Sequence, residues 1–119
     1  MTDADFASQH QPGGKPRPRV QQTFFQRREL DAILSLYGRK VAAGDWRDYA
    51  IDGLKDEAVF SVFRRASEMP IYRIVKRPKL AKRQGMYAVI DATGQILKRG
   101  QDLRTVLRIF EKRKLSLID

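Results

Sequence analysis

Five cations fall within eight residues of one segment, Lys76-Arg-Pro-Lys-Leu-Ala-Lys-Arg83. Guanidinium groups bind phosphate oxygens as forks, and ammonium groups bind them as point charges. Pro78 cannot donate to a strand ladder and Gly85 follows the cluster, so we expect the segment to form a loop between two strands. The cluster therefore predicts contact with a polyanion. Its five cations are Lys76, Arg77, Lys79, Lys82 and Arg83.

The positive charge of the chain is concentrated around this cluster. Residues 1–63 carry nine cations and nine acids, whereas residues 64–114 carry fifteen cations and four acids. Charge gathered on one part of a fold attracts a polyanion, whereas evenly spread charge mainly favours solubility. Three more cations fall on the strands predicted to flank the loop: Arg64, Arg65 and Arg73. The competing interpretation is a solvated hairpin on the surface of a soluble protein.

Residues that commonly carry out catalysis are scarce. The chain has no cysteine, and its single histidine, His10, lies in a Gly- and Pro-rich segment where nothing would orient it. Neither a glycine-rich phosphate loop nor a nucleophile-elbow motif occurs. The acids around the first predicted strand have a spacing typical of caps, turns and ion pairs, and it matches no known metal loop. We therefore predict no catalytic residue, no metal site and no cofactor. These acids are Asp45, Asp48, Asp52, Asp56 and Glu57.

Two tyrosines, Tyr72 and Tyr87, fall on the predicted strands beside the basic loop. Rings in such positions stack on bases in single-strand binders, but strand aromatics more often pack in the core. Trp46 follows the first predicted helix and is expected to anchor the core. Phe60 and Phe63 should lie on opposite faces of one strand, because side chains alternate along a strand.

The first 22 residues differ in composition from the rest of the chain. Residues 1–22 are rich in Gly, Pro and Gln, so we predict a disordered tail there and a single domain over residues 23–119. The tail motif Lys15-Pro-Arg-Pro-Arg19 is either a solvated leader or a short basic arm. No segment is long and apolar enough to cross a bilayer, since the longest apolar run is Met86–Ile90. The lack of cysteine suits a reducing cytosol, and we expect a cytoplasmic protein.

An amphipathic helix is predicted near the start of the domain. Thr23 and Gln26 have the spacing of a capping box, and Gly44 is placed to end the helix. The predicted apolar stripe follows helical spacing, with Leu34 near its centre. Its members are Leu30, Ile33, Leu34, Tyr37 and Val41.

The pattern then changes to the period of strands, separated by short turns. Predicted strands span Trp46–Asp52, Ala58–Arg65, Ile71–Arg77, Met86–Asp91 and Gln95–Arg99. The connections are too short for parallel crossovers, so the strands should form an antiparallel meander. Asp102 is placed to cap a second helix, whose apolar stripe includes Leu103 and Leu107. We predict an α+β fold: an antiparallel sheet of four or five strands with an N-terminal and a C-terminal helix packed on one face.

Four stretches of the chain carry a resemblance to a known protein family. They are Arg27-Arg-Glu-Leu-Asp-Ala-Ile-Leu34, Gly44-Asp-Trp-Arg-Asp-Tyr-Ala-Ile-Asp52, Ala58-Val-Phe-Ser-Val-Phe-Arg-Arg-Ala-Ser-Glu-Met-Pro70 and Ile96-Leu-Lys-Arg-Gly100. With them the chain resembles, from Gln26 to about Phe110, an alphaproteobacterial family of small proteins classed as a domain of unknown function. The resemblance implies a cytoplasmic bacterial protein and no particular chemistry.

Two functions from different classes fit these observations. The first is a small non-catalytic nucleic-acid-binding module whose basic hairpin contacts phosphates, with no motif that distinguishes DNA from RNA. The second is a protein–protein interaction or regulatory module that docks on an acidic partner surface. In either case we expect a monomer or a homodimer and no membrane association.

Overall fold

A computed structural model describes residues 22–65 and 68–111 of the protein. Residues 1–21 of the predicted tail and the chain beyond Glu111 lie outside the described residues. Two α-helices, α1 (Arg27–Ala42) and α2 (Leu103–Leu107), flank a sheet in the chain order. The five strands are β1 (Asp48–Gly53), β2 (Ala58–Phe63), β3 (Tyr72–Lys76), β4 (Tyr87–Asp91) and β5 (Ile96–Gly100).

The strands form one antiparallel sheet in which spatial order equals chain order, β1-β2-β3-β4-β5. Short connections permit only antiparallel neighbours, which confirms the predicted meander and the α+β class. Each predicted strand is present, and the observed ends differ from the predicted ones by at most two residues. The ladder between β4 and β5 shifts register between Val89 and Ile90.

Helix α1 begins three residues later than a cap at Thr23 would place it. Its N-cap is Gln26, whose backbone N–H donates to Glu29 Oε1 over 2.6 Å. Thr23 instead joins the extended segment before the helix to the turn between β1 and β2. Its N–H donates to the Leu54 carbonyl over 2.7 Å and its hydroxyl to the Lys55 carbonyl over 3.0 Å. At the other end Gly44 follows the helix with a φ of +83°, the left-handed conformation that favours glycine.

Both helices pack on one face of the sheet, and the main core lies between these two layers. Alternate residues of the central strands point into it, including Phe60, Ile74 and Val89, which are fully buried. Helix α1 contributes Ile33 and Leu36, and the C-terminal helix contributes Val106. Beyond α2, Phe110 closes the core and contacts Trp46 edge-on, with ring centroids 5.0 Å apart.

Of the two roles predicted for the aromatic side chains, base stacking and core packing, the structure shows core packing. Trp46 and Tyr87 are buried in the main core, and Tyr72 packs against it with its ring edge-on to Phe110. Phe60 and Phe63 lie on opposite faces of β2, as the spacing predicted, because Phe60 is on the helix side with Ile51 and Ile74. A smaller apolar cluster on the other face consists of Val59, Val75 and Ile90.

Leu34 is not at the centre of the helix contact. Its side chain is 36% exposed, whereas that of the preceding Ile33 is fully buried. The apolar stripe of α1 is wider than the surface it covers, so the flank bearing Leu34 and Val41 remains open to solvent. The residues of α1 at the centre of its contact with the sheet are Glu29, Ile33 and Leu36.

Two neighbouring substitutions test this packing. Ile33→Ala removes a fully buried side chain and should lower the free energy of unfolding by roughly 2–5 kcal/mol. Leu34→Ala, one residue along the same helix, should cost less than about half of that, because its side chain already meets water. Urea unfolding midpoints measure both, and equal losses would contradict the position of α1 on the sheet.

Candidate functional site

The basic segment forms a tightly bonded loop between β3 and β4. A single 3₁₀ turn covers Pro78–Leu80, and the Leu80 carbonyl accepts from the N–H groups of Arg83, Gln84 and Gly85 at 3.0–3.1 Å. These backbone hydrogen bonds within the loop define its shape.

Strand β5 fixes this loop from the side. Arg99 donates to the Gln84 side chain over 2.8 Å, and the Gln101 amide donates to the Ala81 carbonyl. Gly85 adopts a φ of +100° and lies against the backbone of Gly100, where an added Cβ would come within 2.8 Å of main-chain atoms. Only glycine fits there, so the loop is seated on the end of β5.

The predicted loop cations fall into different environments. Arg77 and Lys79 are paired with acids of the turn between β1 and β2: Arg77 Nε lies 2.7 Å from Glu57, and Lys79 Nζ lies 3.0 Å from Asp56. Lys82 and Arg83 are exposed, and neither has an acid within 4 Å in the part of the chain that the structure describes. The unpaired positive charge of the loop is therefore at its tip.

Lys76 is not a surface cation. Tyr72, Ile74 and Lys76 alternate onto the helix side of β3, so Lys76 points under α1 and is only 7% exposed. Its ammonium lies 2.8 Å from Glu29 Oε1 and donates to the Phe24 carbonyl over 3.0 Å. The structure therefore does not place Lys76 among the exposed cations of the loop, because this charge is buried and paired within the fold.

The supporting arginines also do not gather around the loop. Arg64 and Arg65 follow β2 at the opposite end of the sheet from the β3–β4 loop, about 17–20 Å away along a strand of this length. Arg73 is exposed on the face away from the helices, near the start of β3 and therefore toward the end of the sheet opposite the loop. The residue that joins the loop is Arg99 of β5, whose guanidinium donates to the Gln84 side chain.

Glu29 carries the charge that balances Lys76. Burial raises the pKa of its carboxyl, but hydrogen bonds from Lys76, Tyr87 and the Gln26 amide, together with the charge of Lys76, outweigh burial and leave this pKa below its usual value. Tyr87 donates its hydroxyl to Glu29 Oε2. Burial, this hydrogen bond and the Glu29 charge all raise the pKa of Tyr87. The cluster is therefore a carboxylate, an ammonium and a neutral phenol.

A small pocket of about 200 Å³ opens above this cluster, between the first turns of the two helices. Glu29 and Tyr87 form part of its wall, with Arg28, Gln101 and Arg104 among the other lining residues. Asp102 also lines it, and hydrogen bonds from Thr105 hold the pKa of this N-cap carboxyl below its usual value. The polar groups of Glu29, Tyr87 and Asp102 are already bonded to other protein groups.

The acids around β1 serve as ion-pair partners and surface charges. Asp45 lies 3.8 Å from Lys40, while Asp56 and Glu57 pair with the loop. Among residues 22–65 and 68–111, no three His, Cys, Asp or Glu side chains come together as a metal site would require. No helix within these ranges could span a membrane.

The buried pair gives a prediction for stability. Lys76→Met leaves the Glu29 charge without its ammonium and should destabilise the fold by about 3–5 kcal/mol. Glu29→Gln combined with Lys76→Met should cost less than the sum of the single changes, because the two groups are coupled. Chemical unfolding of the four proteins gives this coupling, and strict additivity would contradict the pair.

The same pair predicts acid sensitivity. A lowered pKa means that Glu29 stabilises the fold above the usual glutamate pKa of about 4.3. This contribution is lost as the pH falls through the lower value in the folded protein. The difference in unfolding free energy between the parent and Glu29→Gln should therefore be constant above about pH 5.5 and shrink in acid. A difference that grows in acid would contradict the assignment.

Comparison with known proteins yields a family and no activity. No curated protein and no solved structure matches the chain. Residues 23–107 match the family model described as protein of unknown function (DUF2794). This match spans α1, all five strands and α2, and it confirms the resemblance to a domain of unknown function. The chain therefore belongs to the DUF2794 family.

Proposed function

We propose that the chain is a non-catalytic nucleic-acid-binding module of the bacterial cytoplasm that contacts backbone phosphates through the β3–β4 loop. The observation that carries this proposal is the exposed pair Lys82 and Arg83, two adjacent cations without an acidic partner in the described residues, on a loop fixed by its own hydrogen bonds. A fixed loop loses little conformational entropy on binding.

Two further cations extend this surface. Arg99 is attached to the loop through Gln84, and its guanidinium retains donors for a phosphate. Lys79 pairs with Asp56, but both side chains are mostly exposed, at 76% and 56%. Ion pairs of this kind contribute little, so phosphate can replace Asp56 as the partner of Lys79. We call Lys79, Lys82, Arg83 and Arg99 the loop surface.

The proposed recognition is of charge and backbone shape. Phosphate contacts position a protein on nucleic acid and carry no base sequence. The two tyrosines on the strands beside the loop, Tyr72 and Tyr87, are packed against or in the core and do not offer a stacking surface there. We therefore expect the loop surface to bind different base sequences with similar affinity.

The competing function is docking on an acidic protein surface. A polyanion of either kind would use the same cations, but only nucleic acid releases a condensed counterion atmosphere when it is bound. A steep dependence of affinity on salt therefore distinguishes nucleic acid from an acidic protein.

A pair of double variants tests the proposal. Lys82→Gln with Arg83→Gln should weaken binding to duplex DNA or RNA several-fold, because two phosphate contacts are lost. Arg64→Gln with Arg65→Gln removes the same charge from the opposite end of the sheet and should weaken binding much less. Fluorescence anisotropy with duplex DNA, duplex RNA and single strands measures both. Equal losses would show that net charge alone drives binding.

Salt dependence provides the second test. With four cations in contact, the log–log slope of affinity against salt should be about −3 to −4 on duplex DNA, and removing Lys82 and Arg83 should make it shallower by about 1.8. The titration covers roughly 50–300 mM salt. If the folded protein bound no nucleic acid even at low salt, the acidic-protein function would replace this proposal.

A further inference from the structure

The outer edge of β1 is open over most of its length. In the described part of the chain β1 pairs only with β2, so its other side carries unpaired backbone groups. The Leu54 N–H donates to the Glu57 carbonyl over 2.8 Å. Because backbone groups alternate sides along an antiparallel strand, the N–H and C=O groups of Tyr49 and Ile51 point away from β2.

This edge is closed at one end. The segment before α1 packs against Gly53 of β1. A Cβ added at Gly53 would come within 2.8 Å of the Phe24 ring. The open portion is therefore Asp48–Asp52, which has room for an added strand of about five residues. A strand that exposes such groups can pair with another chain.

An apolar strip runs along the helix side of this edge. Tyr49 and Ile51 are each 45% exposed although they share a face with the buried Phe60. The adjacent flank of α1 exposes Leu34 and Val41, and Tyr37 joins this flank to the strand through an edge-on contact with Tyr49. Apolar side chains on both sides of a groove favour an occupant whose own apolar residues face the helix side.

Two acids occupy the other side of the same edge. Asp48 and Asp52 pair with Phe63 and Val59, which places both carboxylates on the face away from the helices. Both are exposed, and neither has an ion pair or a side-chain hydrogen bond among the described residues. Their Cα atoms are about 13 Å apart, so they match cations spaced four residues apart on an added strand.

A second copy of the chain does not fit this edge. Antiparallel pairing of β1 with β1 about a two-fold axis would bring Asp48 and Asp52 of both copies together along one seam. Like charges on neighbouring strands destabilise the pairing. Charge repulsion therefore disfavours pairing of β1 with β1 of a second copy. It favours a partner strand that carries positive charge.

We propose that the β1 edge is a docking site for an extended basic segment of a partner protein, which adds to the sheet as a sixth strand. Its apolar side chains lie over Tyr49, Ile51 and Leu34, and its Lys or Arg side chains lie beside Asp48 and Asp52. Backbone bonds to Tyr49 and Ile51 provide affinity, and the alternation of side chains provides selectivity. This surface is separate from the loop surface.

A synthetic heptapeptide of alternating Lys and Val, labelled for fluorescence anisotropy, tests the proposal. Asp48→Lys with Asp52→Lys should weaken its binding roughly tenfold, because two cross-strand charge pairs become repulsive. Asp31→Lys with Glu68→Lys makes the same change in charge at exposed positions off the edge and should alter affinity by no more than about twofold. The same peptide with Glu in place of Lys should not bind.

Hydrogen exchange tests whether the bound peptide pairs with β1 as an added strand. Backbone pairing should slow hydrogen exchange of the Tyr49 and Ile51 amides when the Lys–Val peptide binds, as followed by NMR. Slowed exchange together with the charge-reversal loss supports the proposal. Equal peptide binding by the two charge-reversed variants would overturn it, as would unchanged exchange of these amides. Lys82→Gln with Arg83→Gln should leave peptide binding intact, which separates this test from that of the loop surface.

Discussion

The buried ion pair between Glu29 and Lys76 determines how the helix layer sits on the sheet. This pair joins the first turn of α1 to the end of β3. The hydroxyl of Tyr87, on β4, donates a hydrogen bond to the same carboxylate. Lys76 also holds the Phe24 carbonyl, so the chain entering the helix is fixed at the same point. Buried charges are costly unless paired and hydrogen-bonded, and here each one has partners from different elements. The position of α1 over the central strands follows from this cluster.

That position explains both exposed surfaces. With α1 over β2 and β3, one flank of the helix and the helix side of β1 remain uncovered, which produces the apolar strip beside Asp48 and Asp52. At the same end of the sheet as the ion pair, the chain leaves β3 and forms the basic loop, which β5 then fixes through Gln84 and Gly85. Residues 22–63 carry six cations and seven acids, whereas the loop surface is basic. The two surfaces therefore suit partners of opposite charge.

The fold was largely predictable because its signals are local. Period-two alternation predicts all five strands, Asp102 has the position of the α2 cap, and Gly44 has the position at which α1 ends. The site was less predictable because it depends on contacts between distant residues. Lys76 lies in a run of cations in the sequence, and only strand parity, shared with Tyr72 and Ile74, indicated that it points inward. The sequence predicts that Arg64 and Arg65 flank the loop, but the direction of β2 places them at the other end of the sheet.

Nucleic-acid contact through the loop surface is the central claim, and amide chemical-shift mapping with a short duplex at low salt tests it most directly. The account predicts that the shifts concentrate at residues 79–85 and at Arg99, with little change along β1 or at Arg64 and Arg65. They should move together as the duplex is added and diminish as salt is raised, since counterion release drives the contact. Shifts centred on Arg64 and Arg65, or no shifts in the folded protein at low salt, would contradict it.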